Sequence, residues 1–399
     1  MRGLLFIDCA PFIGGAQESF ATLLDAFPNS TVAVGDGLAP RFPNAIRIHA
    51  RHWPATLSGL FQFLADRREA SHILRPILRG GGNAASPQPS PNVLRGGGNA
   101  AEATPVLRGG GNATEATLVL RGGGNAAVSL PLIHANTLRS ALLLTSLPIS
   151  CPIVIHDRDI RAPRLAVRYV ARRLRPTIIA ISSTVAQKWR GVIPDENIHI
   201  IYNGFRLDEI RAAKPAQFPW SAPTVVLAAD FISWKRHRLF IDAFALARQR
   251  IPNLHAVLRG RVRNVADEPY LNAIRDYASA IPNISIDTSS GAALGHIAAS
   301  DMLVSCSENE PFGRTIIEAI ALYKQVIATP TAAPPEFFKM LAPNLIMADD
   351  SPQAIADAIA DNIHKQFSPI SLDDFSVESM LAKIAAIHEM VACNCQQKP

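Results

Sequence analysis

Between Ser305 and Pro330 the chain reads SCSENEPFGRTIIEAIALYKQVIATP, and its residue types share a chemistry. A strand ends near Ser305. Glu308, Asn309 and Glu310 form a polar loop, Pro311 and Gly313 stand at a loop-to-helix junction, and Ile316, Ile317, Ile320 and Ala321 recur at helical spacing. The start of such a helix carries unpaired backbone N–H groups and a partial positive field, which suit a phosphate. Gly313 permits close approach of a ligand to the backbone, and Arg314 adds a guanidinium fork for phosphate oxygens. Glu310 and Glu318 stand eight positions apart. A helix beginning at Glu310 separates them by about 12 Å, the scale of an extended nucleotide-sugar. One carboxylate then accepts hydrogen bonds from sugar hydroxyls and the other from ribose hydroxyls. Each acid alone has a plainer explanation. Acidic residues favour the start of a helix dipole, and a helical Glu is ordinarily solvated. Glu318, between Ile317 and Ile320, is placed to face inward.

The elements that must hold this segment alternate between strand and helix. The opening, GLLFIDCAPFIGGAQESFATLLDAF, reads as a buried strand over Leu4 to Ile7, a turn at Gly14 and Gly15, and a helix carrying Phe20, Leu23, Leu24 and Phe27 on one face. Further strands are expected at Thr31 to Val34, Leu130 to Ile133, Ile153 to Ile155, Thr177 to Ile181 and Ile198 to Ile201. A second series begins at Thr224 to Ala228. It continues with His255 to Leu258, Ile284 to Ile286, Met302 to Ser305, Val326 to Ala328 and Leu345 to Met347. Such alternation predicts parallel sheets. The Pro-rich stretch from Ala212 to Pro223 reads as a linker. The expected organisation is a Rossmann-like domain over 1–211, the linker over 212–223, a second Rossmann-like domain over 224–365, and a C-terminal helix and tail over 366–399 that return to the first domain. Ligands of two such domains bind in the cleft facing the carboxyl ends of both sheets.

One segment breaks the pattern. LRGGGNA occurs four times, starting at Leu78, Leu94, Leu107 and Leu120. Three consecutive glycines per unit make regular structure costly in backbone entropy, and each unit lacks the apolar face of a solenoid. Residues 77–127 are therefore expected to be a Gly-rich inserted loop. The rest of the first domain is then about 150 residues, a normal size.

Bulk properties exclude several classes. The chain has 399 residues, 48% of them hydrophobic and 18% charged, which excludes global disorder. The formal net charge of +6 suits phosphate-bearing substrates, anionic membrane surfaces or nucleic acid. Aromatic residues make up only 7% and none lies in the repeats, so a nucleic-acid binder built on the Arg-Gly units is the weakest of the three readings. Cys9, Cys151, Cys306, Cys393 and Cys395 are odd in number and scattered, against a disulfide framework. Leu4 to Ile7 is too short for a secretory signal and no apolar run is long enough to span a membrane. The expected location is the cytoplasm, with or without attachment to the cytoplasmic face of a membrane. No GxGxxG follows the first strand, which argues against a nicotinamide cofactor.

The string ENEPFGRTIIEAIAL followed by QVIAT resembles the signature of the retaining GT-B glycosyltransferases of family 4, glycosyl transferases group 1. Their pattern is matched at Glu310, Phe312, Gly313, Glu318 and Ala319. The resemblance implies that Glu310 contacts the donor sugar and Glu318 the ribose, with the backbone at Phe312 and Gly313 facing the donor. IIYNGF, Ile200 to Phe205, is similar to the family's strand and Asn-Gly turn closing the first domain. IGGAQES, Ile13 to Ser19, resembles its first Gly-rich loop, where Gly14 and Gly15 approach donor phosphates or acceptor; taken alone the pair reads as a plain turn. His156, in HDRD after a strand, lies on the ligand side of an α/β sheet, and the resemblance assigns such a position to the cleft. The alternative is a structural His bonded to Asp157 or Asp159. His134 is a weaker candidate of the same kind.

Two departures stand out. Where the family has Gly-Arg after the first strand of the second domain, this chain has Ala229-Asp230, followed by Lys235. Lys235 can neutralise a diphosphate, whereas Asp230 repels one. The family's later Gly-Gly…Glu loop is here Ala332-Ala333-Pro334-Pro335-Glu336. The implied protein is a hexosyltransferase-type enzyme moving a sugar, with retention, from a UDP-sugar or GDP-sugar to a saccharide, lipid-linked or small-molecule acceptor. No separate cofactor, metal site or specific nucleic acid is expected, and peripheral membrane contact is compatible with the charge. The alternative function is a catalytically impaired sugar-nucleotide binder or scaffold.

Overall fold

The computed structural model describes residues 4–8, 15–27, 30–34, 45–47, 74–75 and 132–396. Gly14 and the repeat at 77–127 lie outside them.

The described residues form two parallel sheets. The first has seven strands: β1 (Leu4–Asp8), β2 (Thr31–Val34), β3 (Ile46–Arg47), β4 (Leu132–Asn136), β5 (Ile153–Asp157), β6 (Thr177–Ala180) and β7 (Ile198–Ile200), in the order β3-β2-β1-β4-β5-β6-β7. The second has six: β8 (Thr224–Ala228), β9 (His255–Arg259), β10 (Ile284–Asp287), β11 (Met302–Ser305), β12 (Gln325–Ala328) and β13 (Leu345–Met347), in the order β10-β9-β8-β11-β12-β13. The inward-facing runs LLFID, IVIHD and TVVLA are buried along their full length, as strands covered on both faces must be. In each sheet the strand order reverses once, between β1 and β4 and between β8 and β11. Those two points open crevices at the carboxyl edges where ligands of doubly wound sheets bind.

Alternate residues of each strand feed opposite layers. In the first sheet Leu5, Ile7, Ile133 and Ile155 pack with helices α2 (Leu138–Leu144), α3 (Arg164–Leu174) and the short α4 (Ser183–Ala186). Leu4, Phe6, Leu132 and Val154 face α1 (Gly15–Ala26) and, from the other end of the chain, α12 (Val377–Gln396). In the second sheet Val225, Leu227, Ala256 and Met302 pack with α6 (His237–Arg250), α7 (Glu268–Ser279) and α11 (Pro352–Asn362). The short α5 (Leu207–Arg211) and α8 (Leu294–Ala299), with α9 (Arg314–Ala321) and α10 (Pro334–Leu341), complete the described helices of five residues or more along with α4's single turn. No helix among the described residues is long and apolar enough to cross a membrane.

The crossing between the halves is tightly packed. Trp220 stacks on His255, with ring centres 4.4 Å apart, and on Phe218 at 5.1 Å, so the Pro-rich stretch lies against the second sheet. The chain returns through Phe375 and Ser376, where Phe205 N–H donates to the Phe375 carbonyl at 2.9 Å. Gly204 is required there: a Cβ would sit 2.7 Å from the Val377 Cα.

The structure corrects the expected helix start. Helix α9 begins at Arg314, not at Glu310. Gly313 holds a left-handed φ of 87° at its N-cap, and Glu310 belongs to the preceding loop. The two acids are thus not carried by one helix, and the 12 Å rise does not separate them.

Candidate active site

The crevice of the second sheet gathers the charged residues of the 305–330 segment. A small pocket is lined by Ala228 and Ala229 after β8, Ser305 and Ser307 after β11, and Lys235, Glu310 and Thr315. Lys235 ends a single 3-10 turn, Ser233–Lys235. Its Nζ lies 2.6 Å from Glu310 Oε2 and 4.0 Å from the centre of the Trp234 ring. The other Glu310 oxygen accepts from Gly313 N–H at 3.1 Å, and its backbone carbonyl accepts from Ala333 N–H at 3.1 Å. The loop is therefore fixed at both ends, and the carboxylate sits at the start of α9, on the N–H of its N-cap residue Gly313. A Cβ on Gly313 would meet Ile316 at 2.8 Å, so substitution there strains both backbone and packing.

One helical turn further on, Arg314 and Glu318 face each other at 3.5 Å. Glu318 is only 16% exposed. Burial pushes its carboxyl above the usual range, and the Arg314 charge opposes that shift. Arg314 also reaches the first domain, donating to Ser19 Oγ on α1 at 2.9 Å and lying over the Phe205 ring at 4.7 Å.

The crevice of the first sheet is lined by a buried network. Asn136, the last residue of β4, donates to Asp8, the last residue of β1, at 2.5 Å. Arg158 donates to Asn136 Oδ1 at 2.7 Å and to Asn203 Oδ1, and its Nη2 lies 3.3 Å from His156 Nδ1. Burial lowers the Arg158 pKa to about 9 while the Asp8 charge works against that fall. Thr137, next to Asn136, adopts a φ of 89°, rare for a β-branched residue.

Behind this network three histidines stack between the sheet and α12. His134 Nδ1 and His388 Nε2 are 2.8 Å apart, and the His134 and His156 rings meet edge to face at 5.4 Å. All three are buried. Burial lowers each of their pKa values first, with neighbouring positive charge adding to the effect at His134 and His156.

The domains are joined by further polar bonds. Glu336 accepts from Ser183 N–H at 2.8 Å, from Ser183 Oγ at 2.7 Å and from Tyr202 Oη at 3.0 Å. Ser182 Oγ donates to the Pro311 carbonyl at 2.7 Å. Phe312 is buried in a cluster with Tyr202, Phe205, Phe337 and Phe375, at centre separations of 5.0–6.2 Å. Its ring is thus packed into the interdomain core, and only its backbone is available to a ligand.

The structure brings together Lys235, Glu310, Gly313, Arg314 and Glu318 on one side of the cleft. Gly15 is the first residue of α1, one turn before Ser19, while Gly14 lies outside the described residues. His156 is fully buried, and Arg158, not Asp157 or Asp159, is the group at its Nδ1. Asp230 is held by Arg261 at 3.7 Å and by Arg263. Among the described residues no group of three or more His, Cys, Asp or Glu could hold a metal. Sequence reasoning missed Asn136, Arg158 and the bridging role of Glu336. The signal for Arg158 was its place directly after β5, at the carboxyl edge of the sheet.

The fold is that of the GT-B glycosyltransferases. HepE from Anabaena, in complex with UDP and glucose, superposes with a TM-score of 0.70 at 18% identity, covering 98% of this chain and 100% of that one. Sucrose-phosphate synthase from Thermosynechococcus elongatus gives 0.68 at 14% identity, with 98% and 100% covered. A glycosyltransferase from Rickettsia africae gives 0.61 at 14%, with 97% of each chain covered. Residues 210–376 match the family model of glycosyl transferases group 1. That segment is less than half of the chain and contains the whole second-sheet crevice. No curated protein matches the chain at the sequence level.

Proposed function

We propose that the chain is a retaining glycosyltransferase that moves a hexose from a nucleoside diphosphate sugar to an acceptor hydroxyl. The observation that carries this reading is the Lys235–Glu310 pair at 2.6 Å beside the start of α9, on the edge that faces α1 across the cleft. Lys235, Arg314 and the α9 N-terminus stabilise the leaving diphosphate, where negative charge grows as the glycosidic bond breaks. Glu310 takes the donor sugar, Glu318 the ribose, and the backbone at Phe312 and Gly313 borders the donor. Gly14 and Gly15 approach from the first domain, and His156 acts from behind Arg158. The diphosphate leaves with the bonding electron pair, the acceptor oxygen takes its place on the same face, and the acceptor proton departs with a phosphate oxygen. The UDP of the HepE complexes supports a uridine donor, with a GDP-sugar as the alternative.

Calorimetry of the folded protein against UDP, GDP and their hexose conjugates tests this directly. Binding of one nucleotide class is expected, and failure of all of them overturns the reading. A second reading, a sugar-nucleotide binder without turnover, draws on Asp230, whose carboxylate occupies Arg261 and Arg263. Release of free nucleoside diphosphate from a bound donor in the presence of acceptor separates the two.

A further inference from the structure

The loop that carries Glu310 is held by both domains, in two different stretches. Its start is fixed from its own domain. The Ser307 carbonyl accepts from Thr329 Oγ1 at 3.3 Å and from Thr331 Oγ1, and Glu308 N–H donates to the Trp234 carbonyl at 2.9 Å. The stretch after Glu310 turns to the first domain. Pro311 has no N–H, so its carbonyl is its one backbone hydrogen-bonding group. Ser182 Oγ donates to that carbonyl at 2.7 Å. The Phe312 ring then packs with Tyr202 and Phe205.

Ser182 is fully buried, directly after β6, at the carboxyl edge of the first sheet. Its oxygen caps α4 by accepting from Val185 N–H at 3.2 Å. A cap needs only that acceptor; the single hydrogen of the hydroxyl goes to the other domain. Ser183, the next residue, holds the same loop by a second route. Its N–H and hydroxyl both donate to Glu336 Oε2, at 2.8 and 2.7 Å. Glu336 stands in the first turn of α10, and the N-cap of that helix, Ala333, donates its N–H to the Glu310 carbonyl at 3.1 Å. Ala332, just before it, adopts a left-handed φ of 61°, rare without a glycine. Such a backbone persists where its surroundings over-determine it.

We infer that Ser182 is a positioning residue for Glu310, and that the first domain sets the sugar-side part of the site through it. The inference rests on the transferase reading for what Glu310 binds. Glu318, by contrast, is carried by α9 of the second domain itself. Recognition of the donor sugar then requires the two domains to be apposed, while the nucleotide is held without that condition.

Ser182→Gly removes the hydroxyl and leaves a residue that still starts a helix well. Amide exchange of the unliganded protein should quicken about 3- to 10-fold over residues 307–313, the worth of one ordinary hydrogen bond, and stay unchanged over β8 and β9. Calorimetry with UDP, UDP-glucose, GDP and GDP-mannose should show free-nucleotide affinity retained and the added affinity of the sugar conjugate reduced by a similar factor. A thermal melt checks folding. Ser183→Ala leaves both Ser182 bonds in place and takes one donor from Glu336; it should give the same pattern at smaller size, and it serves if Ser182→Gly does not fold. A hydroxyl that merely caps α4 would lower the melting temperature and leave the loop alone. Unchanged exchange over 307–313 in the variants that fold, or equal loss of affinity for nucleotide and sugar nucleotide, would overturn the inference and leave the transferase reading standing. Failure of the unaltered protein to bind any of the four compounds would overturn that reading, and the inference with it.

Discussion

The two crevices are built at equivalent points of equivalent sheets, yet their charges are arranged in opposite ways. In the first, Asp8, Asn136, Arg158 and Asn203 bond to one another and are sealed from solvent. In the second, Lys235 and Glu310 form a close pair, and Arg314 and Glu318 a longer one, all with some solvent exposure. A closed network fixes the shape of an edge. Pairs that keep some access to the cleft can exchange partners, because a ligand's phosphates and hydroxyls replace what each group gives up. The difference assigns rigidity to the first edge and ligand exchange to the second.

The largest expected effect breaks the rigid side. Arg158→Leu leaves Asn136 and Asn203 buried without their common donor and Asp8 without its neighbouring positive charge, and loss of one partner from a buried charged network costs about 3–5 kcal/mol. Urea denaturation should show that loss, while nucleotide affinity of the remaining folded protein stays near that of the unaltered chain. A similar loss of affinity would mean that the two edges are not separate in function. On the other side, Lys235→Ala should lower transfer by about 10²–10³-fold, the range for removing one group that stabilises developing charge. Its denaturation midpoint should fall too, though less than that of Arg158→Leu, since Lys235 and Glu310 keep only 16% and 11% side-chain exposure and the exchange leaves Glu310 without its cation.

Acid sharpens the same contrast. His134, His156 and His388 are held neutral by burial, and the folded pKa of His388 is about 4. A single proton fits between His134 and His388 at 2.8 Å; protonating both places two cations in contact. Arg158, just past the end of β5, adds positive charge at His134 and His156. Above about pH 6.5 the histidines are neutral in both folded and unfolded chains and contribute no pH dependence. As pH falls from there toward the folded values, the unfolded chain takes up protons that the folded one refuses, so stability declines. His388 alone accounts for about 3 kcal/mol once the pH is below its folded value. His388→Phe, which keeps a ring against Phe6 and Phe27, should flatten the decline measured by thermal melts between pH 6.5 and 4. An unchanged slope would remove His388 from the account.

The contrast also explains what was legible in the sequence. The second edge is contiguous: Glu310, Gly313, Arg314 and Glu318 lie within nine positions, so one segment displayed the loop, the helix start and the charges together. Only the helix start was misplaced, because a Pro-Phe-Gly junction followed by an apolar face does not say which residue begins the turn. The first edge is assembled from four distant places. Asp8, Asn136, Arg158 and Asn203 become neighbours only when β1, β4, β5 and the turn after β7 are set side by side. The apolar run that marks β4 in the sequence ends at Ile133, three residues short of Asn136. His156 stands out as a histidine near a strand end, while Arg158, just past that end, takes the central position. Glu336 was visible only as part of a loop, since its partners Ser183 and Tyr202 belong to the other domain.

The smallest expected effect concerns Glu318, where stability and binding should move in opposite directions. The residue is 16% exposed, and burial raises its carboxyl pKa even with Arg314 3.5 Å away. For an acid, a raised folded pKa means that at neutral pH folding works against the charged form, and that this penalty disappears as pH falls below the unfolded value. Glu318→Gln keeps the shape and removes the charge, so it should leave the protein as stable as before or more stable by up to about 1 kcal/mol. On the proposed function, the same exchange withdraws a charged acceptor from the ribose hydroxyls. Glu318→Ala removes both acceptor oxygens and should weaken binding of free UDP or GDP by about 1.5–3 kcal/mol, roughly ten- to hundred-fold. Glu318→Gln should fall between that variant and the unaltered protein. Glu310→Ala should spare the free nucleotide and impair the sugar-bearing donor, because its carboxylate is one loop away, beside Lys235. Calorimetry and denaturation of the three variants give two coordinates for each. A Glu318 variant that loses stability and keeps nucleotide affinity would make this carboxylate a structural partner of Arg314. One that keeps stability and loses affinity marks it as a group held at a cost to the fold for the sake of the ligand.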